Sequence, residues 1–345
     1  MTTAHSPWNI EESDFPIEGT LGEQVAFCLG YAVLAPSGHN TQPWRFRIVQ
    51  GSEVQVFADR SRALPVVDPD DRELVLSCGA ALFFLRVALS HFGLGAQTQL
   101  CPRPDQPDLL ATVRVGADGA ETLAGLFDAI GTRSTNREAF EDEVVPAELR
   151  VGLRDAAQRE SCRLWSSDRR ELREALAALV AQGDVEQMAD SAFRTELAHW
   201  VRRSRASTHD GMPAYAFGVN EHLDFVTPLA ALTIRRFNRG KSQAAKDHEL
   251  AVGSPLLAVL STEGDGVEDW MRAGQALARV LLLAEANGLR ASYLNQPIEV
   301  AALRARVGAI ADGAACPQVL LRMGFGPPRT PPTPRRPVAE VLEVD

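Results

Sequence analysis

The sequence predicts an α+β protein of two tandem units that pack against each other within one chain, as an internal pseudo-dimer. Three observations predict this fold class. The chain has 345 residues, enough for two units that each bury a core of their own. Short segments of alternating apolar residues, typical of strands, interchange with longer segments of helical periodicity. One stretch of the first half also recurs in the second half.

The recurring stretch spans residues 79–96 and 274–291. A shift of 195 residues superimposes the two without a gap, and six of the eighteen aligned pairs are identical. The identical pairs include Gly79 with Gly274 and Gly93 with Gly288. Buried helices that end in Gly-Leu share part of this pattern, but the period also matches the length of one domain. We therefore interpret the repeat as a duplication whose copies pack around a shared helical core.

Residues 20–118 form the first predicted unit, after an N-terminal arm of residues 1–19 that lacks periodicity and is expected to be mobile or draped. Gly51 and Ser52 predict a hairpin turn, and Asp70 and Asp71 are suited to cap an apolar helix that Gly93 ends. In order, the predicted elements are a helix at 21–32, strands at 45–50 and 54–58, a helix to about residue 91, and strands at 96–100 and 109–115.

Residues 119–345 form the second predicted unit, which ends in a tail at 324–345. The prolines of the tail predict an extended run over a surface. The other predicted elements are a helix at 121–130, a polar turn at 131–140, a helix that Pro146 opens, a strand at 162–165, helical structure at 170–201 with a break near Gly183, a loop at 206–220, helical structure to 239, a strand at 256–261, a helix at 269–287 and a strand at 317–323.

Composition excludes several functional classes. The 45 acidic and 35 basic residues give a formal charge of −10, which disfavours nucleic acid and anionic membranes as partners. Five scattered cysteines without a Cys-x-x-Cys motif indicate reduced thiols, and the acidic N-terminus is no signal peptide. The longest apolar run, residues 74–89, is interrupted by polar residues and falls short of a membrane span. We expect a soluble cytoplasmic protein.

The polar loop, residues 35–44, joins the first helix to the first strand. Pro36 and Gly38 mark it as a turn, but it also carries a dense set of hydrogen-bonding side chains beside the ring of Trp44. These side chains belong to Ser37, His39, Asn40, Thr41 and Gln42. Such a loop suits a flat polar ligand that is bound along its edge. A turn capped by its own side chains accounts for the same residues.

Two basic segments lie further along the chain. In the arginine segment, residues 133–137, Arg133 and Arg137 flank two hydroxyl residues. If they open a helix, both guanidinium groups can converge with free backbone amides on one phosphate. Arg335 and Arg336 follow a proline-rich stretch, whose stiffness lowers the entropic cost of holding two charges over a phosphate. Without a partner, both segments are explained as solvated arginines.

The polar loop, with Pro-Ser-Gly-His-Asn-Thr-Gln-Pro-Trp at 36–44, resembles the flavin-edge loop of the nitroreductase family. From about residue 20 to 345 the chain resembles the Acg-like branch, in which two nitroreductase units lie in tandem. The resemblance implies that an FMN cofactor is bound by Pro36, Ser37, Gly38, His39, Asn40 and Gln42 of the polar loop, by Arg133, Ser134, Thr135 and Arg137 of the arginine segment, and by Arg335 and Arg336 of the tail.

A fourth piece, Gln296-Pro297-Ile298, follows the second repeat helix and its strand. It resembles the stretch whose backbone meets the flavin near N5. The glycine often found there is missing, so whether the backbone approaches the ring closely stays an open question. Family homodimers hold each flavin between the loop of one copy and the arginines of the other. This chain has one full loop and one set of arginines, which implies one FMN, between the units. A divergent stretch at 204–220 replaces the second loop and is a candidate lid.

The resemblance implies an NAD(P)H-dependent oxidoreductase that reduces nitroaromatic or quinone-like small molecules. The flavin carries the chemistry, so no catalytic acid or base is expected, and His39 is expected to be a surface histidine. The alternative is an FMN-sequestering protein with a flavin covered by the lid, and a third possibility is a flavin-free scaffold. No spacing in the chain predicts a metal, a Rossmann fingerprint or a phosphate loop. We expect a monomer or a weak homodimer.

Overall fold

The computed structural model describes residues 6–116, 122–202, 208–213, 227–236, 238, 240–326 and 332–344. Its helices are α1 Leu21–Ala32, α2 Arg72–His91, α3 Asp128–Thr132, α4 Ala147–Arg159, α5 Arg170–Ala189, α6 Ser191–His199, α7 Thr227–Arg236, α8 Gly240–Val252, α9 Val267–Ala286, α10 Gln296–Glu299 and α11 Ala301–Ile310. Its strands are β1 Trp44–Val49, β2 Glu53–Ala58, β3 Ala96–Leu100, β4 Leu109–Val115, β5 Arg163–Ser167, β6 Val201–Arg202, β7 Met212–Pro213, β8 Leu256–Thr262, β9 Arg290–Tyr293, β10 Cys316–Gly324 and β11 Leu342–Val344.

Two sheets share one strand order. The first is ordered β11-β1-β2-β4-β3 and the second β5-β8-β10-β9. In both, the strands β1-β2-β4-β3 and β5-β8-β10-β9 pair antiparallel throughout. The first half runs α1, β1, β2, α2, β3, β4, and the second half repeats this order as α4, β5, β8, α9, β9, β10. The predicted α+β fold with two units is therefore confirmed, and the second unit carries extra helices between β5 and β8 and between β9 and β10.

The repeated helices α2 and α9 have the same length and lie 195 residues apart at both ends. Gly93 and Gly288 follow them with φ angles of 73° and 74°, the left-handed conformation in which glycine commonly ends a helix. The two helices cross where Gly79 meets Gly274. A Cβ on Gly274 would lie 2.8 Å from the Cα of Gly79 and would overlap the carbonyl oxygen of Leu76. The crossing therefore requires glycine at both positions.

Both units share their cores across this crossing. Met271, Ala278 and Leu282 of α9 pack into the core of the first unit, and Leu76 of α2 packs into the core of the second. By length and composition α2 could span a membrane, contrary to expectation, but 83% of its apolar window is buried inside the protein, as in the core helix of a soluble protein.

A buried ion-pair network also connects the repeated helices. Glu160, at the end of α4, accepts hydrogen bonds from Arg86 of α2 at 2.8 Å and from Arg279 of α9 at 2.6 Å. Because Glu160 and Arg279 are almost fully buried, each compensates the charge of the other.

The tail returns to the first unit. β11 pairs in parallel with β1 at the edge of the first sheet, with Phe46 opposite Leu342 and Ile48 opposite Val344. The expectation of an extended course over a surface is wrong for its basic residues, because Arg335 and Arg336 are 3% and 9% exposed. Trp8 of the N-terminal arm covers Arg335, with the guanidinium carbon 5.0 Å from the ring centroid.

Other local expectations are also wrong. The helical break lies at Asp190, whose side chain caps α6. Gly183 lies inside α5, and glycine is needed there because Gln296 packs directly against it. Pro146 precedes α4 as its N-cap instead of opening it. Helices α8, α10 and α11 were not predicted as separate elements. Of the candidate lid at 204–220, residues 208–213 are described, and the remainder lies outside the described residues.

Replacing Gly274 with alanine should destabilise the protein, because the new methyl group would force α2 and α9 apart. Overpacking of this kind costs about 1–3 kcal/mol or more. Gly152→Ala in α4 is the matched control, since its Cβ would lie 3.8 Å from the side chain of Leu283. Alanine should stabilise that half-buried helical position, by up to about 1 kcal/mol. Urea unfolding measures both, and equal effects would contradict the close crossing.

Candidate functional site

The polar loop, residues 35–44, holds an unusual backbone between α1 and β1. His39, Asn40 and Gln42 have positive φ angles of 48°, 55° and 52°. Such conformations cost free energy in residues other than glycine and cluster at ligand sites and active sites. The hydroxyl of Ser37 accepts a hydrogen bond from the backbone N–H of Gln42 at 2.9 Å, which stabilises the turn. Pro36 is buried, and Gly38 packs beside the carboxylate of Glu73.

The amide side chains of Asn40 and Gln42 hold two other segments onto the polar loop. Asn40 Nδ2 donates to the carbonyls of Gly211 and Pro334 at 2.9 Å each, and its Oδ1 accepts from Arg335 at 2.9 Å. Gln42 Nε2 donates to the carbonyl of His209 at 2.7 Å, and its Oε1 accepts from the backbone of Arg336 at 2.7 Å. Both amides, which are almost fully buried, thus join the loop to the tail and to residues 208–213.

His39 is not the expected surface histidine. It is half-buried, and burial lowers the pKa of its imidazole to about 4. The ring is therefore neutral at pH 7 and offers one donor and one acceptor nitrogen within the polar loop.

Residues 208–213, the covering segment, lie on the polar loop and are held by a cluster of charges. Asp210 forms ion pairs with Arg62 and Arg202. The guanidinium carbons of these arginines lie 5.5 Å and 5.4 Å from the ring centroid of Trp200. Gly211 has a φ of 74°, and a Cβ there would lie 2.6 Å from the side chain of Arg202. Its glycine therefore lets the segment pack tightly.

The arginine segment, residues 133–137, does not open a helix, so the helix amides that could have joined its arginines at a phosphate are absent from these residues. It begins directly after α3 and runs in parallel beside β9. Thr135 forms a bridge with Ala291, and the backbone N–H of Asn136 donates to the carbonyl of Ala291 at 3.0 Å. Ser134 lies half-buried in the same segment. Pairing with β9, instead of a helix start, thus positions the arginines.

The hydroxyl of Tyr293, at the end of β9, is under the electrostatic influence of two distant segments. Arg133, Arg335 and Arg137 all act electrostatically on this hydroxyl, which is fully buried. The Nε of Arg133 and the hydroxyl of Tyr293 are buried without a hydrogen-bond partner in the part of the chain that the structure describes. Burial lowers the pKa of Arg133 and raises that of Tyr293. This cationic cluster is suited to an anion such as a phosphate.

The two tail arginines have different surroundings. Arg335 belongs to the cationic cluster and also donates to the carbonyl of Leu34 at 3.3 Å. Arg336 donates to the carbonyl of Gln42 at 3.2 Å and lies 3.7 Å from Asp59 and 3.6 Å from Glu340. Its charge is thus balanced by nearby carboxylates outside the cationic cluster.

Gln296, Pro297 and Ile298 begin the short helix α10, where Pro297 and Ile298 are buried. The amide Nε2 of Gln296 donates to Asp184 of α5 at 3.2 Å and to Asp247 of α8 at 3.0 Å. Burial and the neighbouring Asp247 raise the pKa of Asp184 to about 8. The two carboxyls therefore share a proton at neutral pH and fix Gln296 to the extra helices of the second unit.

Glu73 connects the polar loop to the segment before α10. Its Oε1 accepts from Arg72 at 2.9 Å and from Asn295 at 3.1 Å, while its Oε2 faces Gly38. Burial raises the pKa of Glu73, against the opposing effect of Arg72. Burial also raises the pKa of Glu299, whose carboxylate accepts from Gln187, to about 8. All four pieces of the predicted site are thus brought together around α2, β9 and α10.

Tyr293 and Glu73 were missed by the sequence reasoning. Neither lies in a recognisable motif, and both join the site through contacts between distant parts of the chain. An open groove outside this site is lined by the 61–66 loop and α6 and contains none of the predicted residues. Among the described residues, no group of three or more His, Cys, Asp or Glu side chains is arranged to hold a metal.

No family model matches the chain. A Mycobacterium tuberculosis protein named "Putative NAD(P)H nitroreductase" is 35% identical over 329 residues, which cover 93% of this chain and 91% of the relative. The acg protein of that species, with the same description, is 32% identical and covers 91% and 93%. "Probable NAD(P)H nitroreductase PigM" of a Serratia species is 23% identical over 340 residues and covers 94% and 95%. The solved FMN- and NADPH-dependent nitroreductase NfnB of sphigopyxis sp. strain HMH is 22% identical, with a TM-score of 0.41 and coverage of 63% and 97%.

Asp184→Asn should remove a pH dependence of stability. In the native protein the raised pKa keeps Asp184 protonated up to about pH 8, whereas the unfolded chain releases the proton near pH 4. The free energy of unfolding therefore falls as pH rises from about 4 to about 8. Asparagine retains an acceptor for Gln296 and carries no charge, so the variant should gain stability relative to the wild type over this interval. Urea titrations of both proteins at pH 5 and pH 8 measure this gain in the free energy of unfolding.

The exposed Asp155 of α4 provides the control as Asp155→Asn. Its difference from the wild type should be similar at both pH values, because its carboxylate stays in water when the protein folds. A difference for Asp184→Asn that is also constant from pH 5 to 8 would contradict the shared proton.

Proposed function

The chain belongs to the NAD(P)H nitroreductase family, and on this basis we propose that it is an FMN-dependent oxidoreductase. It takes reducing equivalents from NAD(P)H and passes them to a small nitroaromatic or quinone-like acceptor. The observation that carries the proposal is that the buried Nε of Arg133 and the buried hydroxyl of Tyr293 have no hydrogen-bond partner among the described residues, while Arg133, Arg335 and Arg137 all act electrostatically on this tyrosine. These arginines come from segments some 200 residues apart in the sequence.

The residues present fit FMN. The phosphate requires cationic donors, which the buried Arg133 and Arg335 and the half-buried Arg137 supply, and Arg133 Nε is available as a donor. The polar loop and the segment before α10 are joined by Glu73 and offer two rigid walls for the flat ring. We therefore propose that the flavin ring lies next to Pro36, Ser37 and Gly38 of the loop and next to Gln296, Pro297 and Ile298 of α10.

The same geometry refines the proposed roles. Asn40 and Gln42 use both amide hydrogens and the oxygen within the protein, so they hold the tail and the covering segment. Arg335 is proposed as the tail residue that binds the phosphate, whereas Arg336 fastens the tail to the polar loop. His39 stays neutral and contributes shape and a hydrogen-bonding nitrogen.

One FMN per chain is proposed, between the two units. The polar loop comes from the first unit, and the arginine segment and tail come from the second. At neutral pH the flavin would supply the hydride-transfer chemistry, while the protein binds it, orients it and excludes water. A monomer or a weak homodimer in the cytoplasm is proposed, consistent with free cysteines at all five cysteine positions.

An anaerobic absorbance titration with NADPH and then NADH tests the proposal, starting from a spectrum that counts flavins per chain. We expect about one FMN per chain and loss of its visible band within seconds after addition of at least one nicotinamide. A colourless protein whose melting temperature does not respond to FMN would instead indicate a flavin-free scaffold, because tight binding to the folded state raises that temperature.

The second candidate function is sequestration of FMN with little turnover. The covering segment favours it, because it is tied to both buried amides of the polar loop and to the cluster of Arg62, Arg202 and Trp200. Under this alternative, dithionite bleaches the bound flavin but neither nicotinamide does. Rapid oxidation of NAD(P)H in the steady state would exclude it.

Arg133→Met should weaken FMN binding without destabilising the apoprotein. Hydrogen bonds to charged groups contribute about 1.5–3 kcal/mol, which corresponds to a rise in Kd of about 10- to 100-fold. Methionine preserves most of the buried volume, and the Nε of Arg133 has no partner to lose within the described residues. Calorimetric titration with FMN and thermal unfolding of the apoprotein measure both quantities.

Arg336→Gln provides the comparison for Arg133→Met. It removes the hydrogen bond to the carbonyl of Gln42 and leaves the cationic cluster intact, so it should lower the melting temperature more and the FMN affinity less. The reverse order of the two effects would assign the phosphate to Arg336.

A further inference from the structure

Tyr293 differs from ordinary core tyrosines in its surroundings. Its hydroxyl is buried, yet it has no hydrogen-bond partner within the described residues. Buried hydroxyls usually find a partner, because an unsatisfied one loses its hydrogen bonds to water without replacement. Ala291, two positions before Tyr293 on β9, pairs with Thr135 of the arginine segment. Residues two apart in a strand share one face, so the ring of Tyr293 lies beside that segment.

The charges that act on this hydroxyl are mainly positive. They include the guanidinium groups of Arg133, Arg335 and Arg137, opposed by the carboxylate of Glu73. Glu73 is itself bound by Arg72 and Asn295, which occupy one of its oxygens. Burial raises the pKa of Tyr293, so the hydroxyl keeps its proton at neutral pH. A neutral donor among cations is suited to an oxygen of a multiply charged anion.

The anion that best matches this arrangement is a phosphate monoester. Its three terminal oxygens can accept from several donors at once, which suits guanidinium groups and a hydroxyl that approach from different segments. We propose that Tyr293 donates a hydrogen bond to the terminal phosphate of the bound flavin and makes the site selective for FMN over riboflavin. This proposal rests on the proposed function, because it assumes that the bound group is a flavin.

The proposal implies opposite effects of one side-chain atom on stability and on binding. In the apoprotein the hydroxyl is desolvated without a partner, so its removal should not destabilise the fold. In the complex it would bind the phosphate, so its removal should weaken binding. A tyrosine that serves only packing would show neither the loss of affinity nor a difference between the two flavins.

Tyr31→Phe is the matched control. The hydroxyl of Tyr31 is also buried without a partner among the described residues, but it lies in the core of the first unit, against Phe127 and Phe27. Removing it should affect the melting temperature in the same direction as at Tyr293. It should leave FMN affinity unchanged, because no arginine of the cationic cluster acts on it.

The experiment compares apoprotein of the wild type, Tyr293→Phe and Tyr31→Phe by calorimetric titration with FMN and with riboflavin, and by thermal unfolding. We expect Tyr293→Phe to lower FMN affinity about tenfold or more, to leave riboflavin affinity unchanged and to keep or raise the melting temperature. The selectivity of the wild type for FMN over riboflavin should fall by the same factor.

Several results would overturn the inference. Equal losses of affinity for FMN and riboflavin would place the hydroxyl at the ring or ribityl chain, and unchanged affinity for both would leave it a packing residue. Failure of Tyr293→Phe to fold would show that the hydroxyl has a partner in the apoprotein. If the wild type binds neither flavin, the proposed function itself fails, and this outcome is separate from the others.

Discussion

The close crossing of α2 and α9 determines where the rest of the site can lie. Because Gly79 and Gly274 allow the two helix backbones to touch, the start of α2 reaches the second sheet. There Arg72 donates to the carbonyl of Gln318 on β10 at 2.7 Å, and the adjacent Glu73 binds Asn295 before α10. A residue of the first unit thereby supports a segment of the second. A wider crossing would separate the polar loop from the residues with which it forms the site.

Buried charges in this protein fall into two groups with different meanings. Arg279 is bound by Glu160, and Arg72 by Glu73, so each of these charges is compensated within the fold. Arg133 is equally buried, but its nearest balancing groups act only at a distance. An uncompensated buried charge lowers the stability of the folded protein. Such a charge is kept where a bound ligand compensates it. Arg133 therefore indicates a binding site, whereas the compensated buried arginines do not.

Sequence reasoning succeeded where local signals determine structure. The alternating strands at 96–100 and 109–115 have the predicted bounds, and the glycines at 93 and 288 end the repeated helices. It failed where distant contacts override local preference. Gly183 does not break its helix, and glycine is needed there because a larger side chain would overlap Gln296; the arginine segment, predicted as a polar turn, pairs with β9. No local pattern marks Tyr293, since the charged groups that act on it are separated from it by up to 220 residues.

The difference between the two units has a mechanical consequence. The covering segment, where a second loop would stand, is bound through Asn40, and the same amide binds Arg335 through its oxygen. The Nδ2 of Asn40 donates two hydrogen bonds, to the carbonyls of Gly211 and Pro334, and these hold the amide in place while its oxygen orients Arg335. Displacing the covering segment would remove the first of them. Because Asn40 has a positive φ, its backbone depends on such contacts. Access to the site and the position of Arg335, the arginine proposed to bind the phosphate, are thus coupled through one side chain, which a symmetric pair of loops would not provide.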